Sequence, residues 1–454
     1  MKKKILKYSC ISIPYILAYI GYRLCGLNIS WALYYSFKVY GLGAGMEHTN
    51  LWLEFAKWTG AIVTFTVVLT LAKTIYERLK MSWRARGSKS CSVYGDNKNA
   101  EILLSNLGKD GIKGNLKKPY HSKYHIVMPD DNEEAVAFFR DFPESLIKKS
   151  KTVVCFKGIS PMLLQEENIA GFSIEENCAG LYWKKYRPEK GDKIAIIGSG
   201  DLFDEIMKKA LLMNIFAPDQ GIEYHLWNPS ERFMTAHPEL DNIAASAKDK
   251  IVYHGGDFIK DHEMMRSMNR LIFCGSEKDN ITDALKLIAI MPLKTVYIYG
   301  KNKKGIERLF RSCETTIINF GAAEDTLTFD NVVREKQTET AKQISEHYRI
   351  KYGGDTWEYL DVFKRESSLS AAEYFPVIQM LNKKGLSIEE LSELEHIRWC
   401  RFFWINNWHY NKVRDNSKRL HNCLVPYSDL TDAEKAMDTE NVELALSKEF
   451  TSDS

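Results

Sequence analysis

Apolar positions along this chain fall into three regimes. Near the N-terminus they run unbroken: Trp58-Thr-Gly-Ala-Ile-Val-Thr-Phe-Thr-Val-Val-Leu-Thr-Leu-Ala72 carries no charge and is bracketed by Lys57 and Lys73. On a helix rising ~1.5 Å per residue those lysines stand ~24 Å apart. With their stems reaching outward, and with Phe55 and Ile75 added, the segment can cross a hydrocarbon core of ~30 Å. An earlier apolar stretch, Ile11 to Gly26, is broken only by Arg23. From Ser90 to Tyr352, short apolar runs alternate with segments of helical period, which predicts a parallel sheet covered by helices. Beyond that, aromatic residues are interleaved with arginines.

The charges flanking the apolar stretches predict a topology. Lys2, Lys3 and Lys4 open the chain, and Lys73, Arg78, Lys80, Arg84, Arg86 and Lys89 follow the second stretch. Basic clusters stay cytoplasmic, so residues 1–85 read as a two-helix hairpin in the inner (cell) membrane with both termini cytoplasmic. A buried helix of a soluble domain is the alternative. A signal peptide is disfavoured because no small-residue cleavage site follows Cys25. The link between the helices, Leu27 to Glu54, should face out. It holds the aromatic segment Ser30 to Tyr40 and then Gly41-Leu-Gly-Ala-Gly45. Two readings stand. One is a re-entrant pore segment with Lys38, Gly41, Gly43 and Gly45 beside the path. The other is an interfacial aromatic belt. No Thr-Val-Gly-Tyr-Gly filter is present, so potassium selectivity is not expected.

In the alternating region, Ser90 to Asn97 reads as a strand running into a turn, and Tyr124 to Met128 and Lys151 to Phe156 as further strands, of a first unit, residues 90–187, with too few strands for a full doubly wound sheet. A fuller unit occupies residues 191–352. Lys193 to Ile197 is a buried strand, Gly198-Ser199-Gly200 a glycine turn, and Asp201 to Asn214 a helix. Such glycines let backbone amides approach a phosphate at the helix N-terminus. The third glycine of that fingerprint is replaced by Phe203. The second strand ends at Trp227-Asn228, with no carboxylate for a ribose diol. A tight turn without ligand is the plain alternative.

Composition narrows the classes further. The 454 residues carry a net charge of only +3, and the basic charge clusters at the membrane segments, which argues against a nucleic-acid face. None of the nine cysteines forms a Cys-x-x-Cys pair, so buried free thiols are expected rather than zinc or disulfides. No catalytic motif is found, and the chain reads as a non-enzyme.

Gly256-Asp257-Phe258, the strand Leu271 to Cys274 before Gly275, and Asp279-Asn280 opening a helix resemble the cytoplasmic NAD-binding (TrkA-type) domains that regulate potassium conductance. Gly171-Phe-Ser173 with the helix after it resembles the closing elements of the same fold. The resemblance spans roughly residues 90–340 as two copies. It implies a nucleotide cleft lined by Gly198, Ser199, Gly200, Asn228, Gly256, Asp257, Gly275 and Asn280.

In the last regime, Leu394-Glu395-His396-Ile-Arg398-Trp399, Asn407-Trp408-His-Tyr410, Val413-Arg414-Asp415, Lys418 and Pro426-Tyr427 closely resemble the ryanodine receptor repeat (RyR) domain over residues 394–438. With its preceding helices the module spans 355–454. Aromatic faces beside guanidinium groups can stack a base and hold phosphates. Arg398, Trp399, Arg401, Trp408, Tyr410, Arg414, Lys418 and Tyr427 are therefore candidate ligand residues. The plain alternative makes the aromatics a small core and the charges its rim.

The expected architecture is a membrane α hairpin, two tandem Rossmann-like parallel-sheet domains and a small, mainly α, RyR domain. The expected function is a nucleotide-type ligand sensor, with NAD, an ADP-ribose derivative or a cyclic nucleotide as the ligand, acting as a ligand-gated channel or pore-forming effector. Two helices cannot enclose a path alone, so a homo-oligomer follows, most simply a tetramer. Such architectures resemble bacterial antiphage effectors. The rival is a non-conducting NAD- or ATP-binding regulator of a transporter.

Overall fold

In the computed structural model, residues 2–41, 50–158, 168–291, 293, 295–311 and 313–447 are described. The chain divides into two compact units, Met1–Arg84 and Ala85–Ser454.

The first unit holds three α-helices: α1 (Lys2–Leu24), α2 (Ile29–Lys38) and α3 (Leu51–Arg84). Asn28 caps α2 by accepting from the Trp31 amide at 2.9 Å. Small residues let the helices meet: a Cβ added to Gly60 of α3 would lie 2.5 Å from Val39 Cγ1. Ala18, Tyr22, Ala32, Val39, Leu53 and Ala56 form the small core there. Of the two expected spans, only α3 is long and apolar enough to cross a membrane among the described residues. Its 34 residues rise ~51 Å, so it extends past the expected stretch at both ends. Ile62, Phe65, Val68, Leu69, Leu71 and Ile75 are exposed along it. The hydroxyls of Thr59, Thr66, Thr70 and Thr74 each donate to the carbonyl four residues back, at 2.6–2.8 Å, which satisfies them without water.

The second unit opens with a sheet that is fuller than the sequence suggests. Its strands are β1 (Cys91–Tyr94), β2 (Gly111–Lys113), β3 (Tyr124–Val127), β4 (Lys151–Cys155) and β5 (Ile169–Phe172). All are parallel, in the order β2-β1-β3-β4-β5, one of the two common doubly wound orders. The expectation of too few strands is thus corrected. The strand it missed, β2, has only three residues.

The second sheet contains β6 (Lys193–Ile197), β7 (Glu223–Trp227), β8 (Lys250–His254), β9 (Arg270–Phe273), β10 (Thr295–Tyr299) and β11 (Thr316–Phe320). Its order, β11-β10-β9-β6-β7-β8, reverses between β6 and β9, the switch point where doubly wound sheets place ligands. Central strands such as β6 and β10 are buried on both faces, whereas the edge strands β8 and β11 are only partly covered.

The two sheets exchange cover. Helix Ile174–Lys185, which follows β5, buries Cys178, Ala179, Tyr182 and Trp183 in the core of the second sheet. Its Trp183 Nε1 donates to the Ile206 carbonyl at 2.8 Å. In return Ala323, Leu327, Val332 and Val333, which follow β11, pack into the core of the first sheet. Asn106 secures them by donating to the Glu324 and Leu327 carbonyls at 2.9 and 2.8 Å.

The C-terminal helices Glu335–Tyr352, Val362–Lys383, Ile388–Ile405 and Asp432–Leu446 share one core with Ile215 and Ala247 of the second sheet domain. Ser387 with Glu390, and Thr431 with Glu434, form capping boxes that start two of them. The module is fixed to the sheet domain by Arg401, which is fully buried. Its guanidinium donates to Asp249 Oδ2 at 2.8 Å, Ser246 Oγ at 2.9 Å and the Leu211 carbonyl at 3.1 Å. Removing one partner of a buried pair strands the other charge. Asp249→Ala should therefore cost about 3–5 kcal/mol in chemical denaturation of the full chain. A loss under about 1 kcal/mol would mean that water reaches Arg401.

Candidate functional site

A cavity of about 630 Å³ lies within the C-terminal module, walled by its helices and by residues 408–423. The capped helix Ile388–Ile405 supplies its inner wall. Glu395, Arg398 and Trp399 fall within one turn and a half of that helix, so their side chains are neighbours. Arg398 and Glu395 are each 2% exposed. They form a two-point ion pair, Nε to Oε2 at 2.8 Å and Nη2 to Oε1 at 2.6 Å, and Arg398 Nη1 donates to Ser370 Oγ at 3.1 Å. Asn441 Nδ2 donates to Glu395 Oε1 at 2.5 Å. Glu395 thus neutralises Arg398 inside the wall.

Beside that pair, His396 places Nδ1 3.0 Å from Asp438 Oδ2 and Nε2 2.9 Å from the Val425 carbonyl. Both partners are acceptors, so the ring is held as an imidazolium. Burial works against that charge, yet the hydrogen bonds and charge of Asp438 and Cys400 raise its pKa to about 11. His421 is the opposite case: burial lowers it to about 4, and its Nδ1 accepts from the Cys423 amide at 3.1 Å. It lines the cavity as a neutral ring.

The remaining wall is aromatic. Trp399 stacks on His396 at 5.7 Å and meets Phe403 at 4.2 Å. Trp408 stacks on Phe363 at 5.1 Å and meets Phe403 at 4.9 Å. At the rim stand Arg414 and Arg419, both exposed. Arg414 Nε donates to Asn416 Oδ1 at 2.9 Å and Arg419 Nη1 to the Asn406 carbonyl at 2.7 Å. Among the described residues neither makes an ion pair, although Glu434 and Asp355 line the same cavity.

Arg398, Trp399, Trp408 and Arg414 are thus brought together on one cavity. Arg401 faces the sheet domain instead. Tyr410 is 52% exposed, Lys418 pairs with Asp415 at 3.5 Å, and Tyr427 is buried; none of these three lines the cavity. Sequence reasoning missed Arg419, which the basic pair Lys418-Arg419 signalled. It also missed Asn441, which no motif marks and which lies past the expected repeat.

The other expected cleft lies at the switch point. Gly198 has φ +136, and a Cβ there would lie 2.4 Å from the Gly275 nitrogen, so the close approach of two backbones requires glycine. Ser199 follows in the same turn, and Gly200 (φ +95) faces open space. Asn280 is committed within the sheet. Its Oδ1 accepts from the Gly275 amide at 2.8 Å, and its Nδ2 donates to the Gly275 and Tyr299 carbonyls at 3.0 and 3.2 Å. Asn228 has φ +60 after β7, Gly256 follows β8 with φ +89, and Asp257 accepts from the Ile259 amide at 3.0 Å. The first turn of helix Asp201–Met213 carries Asp201 and Asp204, and burial pushes Asp204 up to about 6.

Of the membrane-link residues, Lys38 lies over the rings of Tyr34 and Tyr35, at 5.3 and 4.8 Å, and Gly41 ends a 3-10 turn. Gly43 and Gly45 lie outside the described residues.

Among the described residues the fold comprises two Rossmann-type parallel-sheet domains, one apolar helix of membrane-crossing length and a helical C-terminal module. Residues 377–448 match the RyR domain family. The match begins within helix Val362–Lys383 and is wider than the expected repeat of 394–438. No curated protein matches the chain. Among solved structures it is similar to a mutant of GsuK (10% identity, 73% of this chain and 97% of that one, TM-score 0.35). It is also similar to a shikimate 5-dehydrogenase of Mycobacterium fortuitum (12% identity, 54% and 91%, TM-score 0.33). A third is the Listeria monocytogenes shikimate 5-dehydrogenase in complex with shikimate and NAD (12% identity, 54% and 91%, TM-score 0.31). Dehydrogenases are enzymes, so the expectation of a non-enzyme is corrected by these matches and withdrawn.

The imidazolium of His396 sets a pH dependence. Its folded pKa lies above the ordinary value near 6.5, so its contribution is complete below about pH 6.5 and is lost as pH rises toward about 11. Across that window one proton is released on unfolding, which lowers stability by up to ~1.4 kcal/mol per pH unit. Denaturant titrations at pH 7 and 9 should show the fall in the wild type and a flatter profile in His396→Gln. Parallel profiles would mean that the ring is neutral.

Proposed function

We propose that this chain is a membrane-anchored sensor of a nucleotide-type ligand, held in the cavity of the RyR module. The observation that carries this reading is the cavity itself: an aromatic wall of Trp399, Phe403 and Trp408 below two rim arginines that make no ion pair among the described residues. Stacking on aromatic faces contributes ~1–3 kcal/mol per base, and a guanidinium facing a phosphate adds ~1.5–3 kcal/mol.

Transmission would follow a charge cluster at the meeting point of three elements. Lys209 of helix Asp201–Met213 contacts Glu176 at 3.1 Å and Glu373 at 2.5 Å. Arg334 contacts the same two carboxylates at 3.2 and 3.4 Å. Glu176 lies on the helix after β5, and Glu373 on helix Val362–Lys383, which also presents Phe363 to the cavity. A ligand that binds one position of helix Val362–Lys383 more tightly than another would shift this cluster, and with it the cover of the first sheet. The first strand of that sheet follows α3 by a short link, residues 85–90.

We read the output as conduction: a ligand-gated channel or pore-forming effector in the inner (cell) membrane, with cytoplasmic termini, built as a homo-oligomer and most simply a tetramer. An antiphage role fits that output. One arrangement favours the rival, a non-conducting anchored regulator of a transporter: a single helix of spanning length among the described residues, with Lys38 held over two tyrosine rings. Dye or ion release from liposomes holding the purified protein decides between them. Release on adding a nucleotide supports the channel; binding without release leaves the regulator.

Within the same assay Arg414→Ala should shift the half-maximal ligand concentration upward by about 10- to 100-fold while the melting temperature holds. Arg398→Ala should lose about 3–5 kcal/mol of stability, because Glu395 is left buried and unpaired. An unchanged response in Arg414→Ala would place the ligand elsewhere.

A further inference from the structure

Helix α3 has one face committed within its own unit and an opposite face left bare. On the committed face Leu53 lies against Gly21 of α1, and Gly60 against Val39. The bare face advances from Leu51 in alternating steps of four and three residues. It shows Leu51, Phe55 and Trp58 on the N-terminal flank and Tyr76, Leu79 and Trp83 on the C-terminal flank, all 57–77% exposed. Between them the same steps reach Ile62, Phe65, Leu69 and Ala72, which are exposed too. Apolar residues at this seven-residue period form the seam of a left-handed coiled coil.

Within the apolar span no residue is charged, and lipid can cover any face there. The flanks carry the information. Glu54 pairs with Lys57 at 2.7 Å and Lys73 with Glu77 at 3.9 Å. These four, with Arg78, Lys80 and Arg84, all lie off the stripe, which therefore keeps its phase through both charged ends. Length then takes its C-terminal end out of lipid. A span from Phe55 to Ile75 uses ~30 Å at ~1.5 Å per residue, so Leu79 lies ~6 Å and Trp83 ~12 Å past it. Helix α3 runs unbroken to Arg84, so this end does not fold back along the membrane surface.

We infer that the stripe is the seam between α3 helices of neighbouring copies of this chain, parallel and in register. The occupant follows from the geometry. A partner must offer an apolar stripe of the same period at the same height above the membrane. A second copy, anchored by its own α3, brings Tyr76, Leu79 and Trp83 level with those of the first. This rests on the reading of the chain as membrane-anchored, and it adds to the proposed homo-oligomer the surface that holds it.

The full chain in native membrane vesicles tests the seam. The photo-crosslinking residue p-benzoylphenylalanine, placed at Leu79 or Trp83, should join two chains; placed at Glu77 or Arg84 it should give few such adducts. In mild detergent Leu79→Lys should raise the protein concentration at half-assembly by roughly tenfold or more. Glu77→Lys puts the same charge off the stripe in the same stretch of helix and should leave that concentration unchanged. Lipid adducts alone at Leu79 and Trp83 would overturn the seam and leave an interfacial aromatic belt. Equal chain-to-chain yields at all four positions, or half-assembly unmoved by Leu79→Lys, would overturn it as well. In each of these cases the anchor survives if alkaline carbonate leaves the chain in the vesicles; extraction by carbonate would sink the anchor and the seam together.

Discussion

One buried ion pair fixes where everything else in the C-terminal module can be. Arg401 and Asp249 are fully buried on their side chains and 2.8 Å apart. Asp249 is also an organiser of its own domain, accepting from the Ile222 amide at 2.8 Å and from Gln220 Nε2 at 2.9 Å. Dry charges of this kind are tolerated only when every donor and acceptor is used. The helix bearing Arg401 therefore cannot slide or rotate against the sheet domain without stranding several groups together. Arg398 lies three residues earlier, so the same fixed helix aims it, with Trp399, into the cavity. The cavity's inner wall is rigid for that reason, whereas its rim is made of exposed residues.

The exchange of cover between the two sheets has a related consequence. Neither sheet is covered by its own segment alone: helix Ile174–Lys185 completes the second, and the segment after β11 completes the first. Asn177, on the first of these, donates to the Asn331 carbonyl on the second at 2.9 Å. The charge cluster of Glu176, Lys209, Arg334 and Glu373 sits where these covers meet helix Val362–Lys383. A displacement of that helix changes the partners of two cations held in low dielectric, where such changes carry more energy than at a surface.

Much of this fold could be read from the chain. Strands of four or five apolar residues with glycine turns were legible because burial on both faces leaves period-free Val and Ile runs, as at Lys193–Ile197. The strand Gly111–Lys113 was not, since three residues carry no period. The RyR module was legible from the order of its aromatic and basic residues, yet their roles were not. Arg398, Arg401 and Arg414 look alike in a motif. Burial separates them: one pairs with its own helix, one with a distant domain, and one stands at a rim. Asn441 came from a different helix, and only folding places it against Glu395.

Charge also distinguishes the two clefts. A phosphate at the N-terminus of helix Asp201–Met213 would meet the helix dipole favourably, but the first turn already holds Asp201 and Asp204. Burial raises Asp204 to about 6, so near neutral pH it is largely ionised and opposes an anion. Asn280, the side chain best placed by sequence to touch a ligand, spends its donors and acceptor holding β9 to β10. At the C-terminal cavity the buried carboxylate of Glu395 is paired with Arg398 and that of Asp438 with His396, while Arg414 and Arg419 share the lining with Glu434 and Asp355. The proposed sensor reading puts the anionic ligand at the cavity where both buried acids, Glu395 and Asp438, are paired.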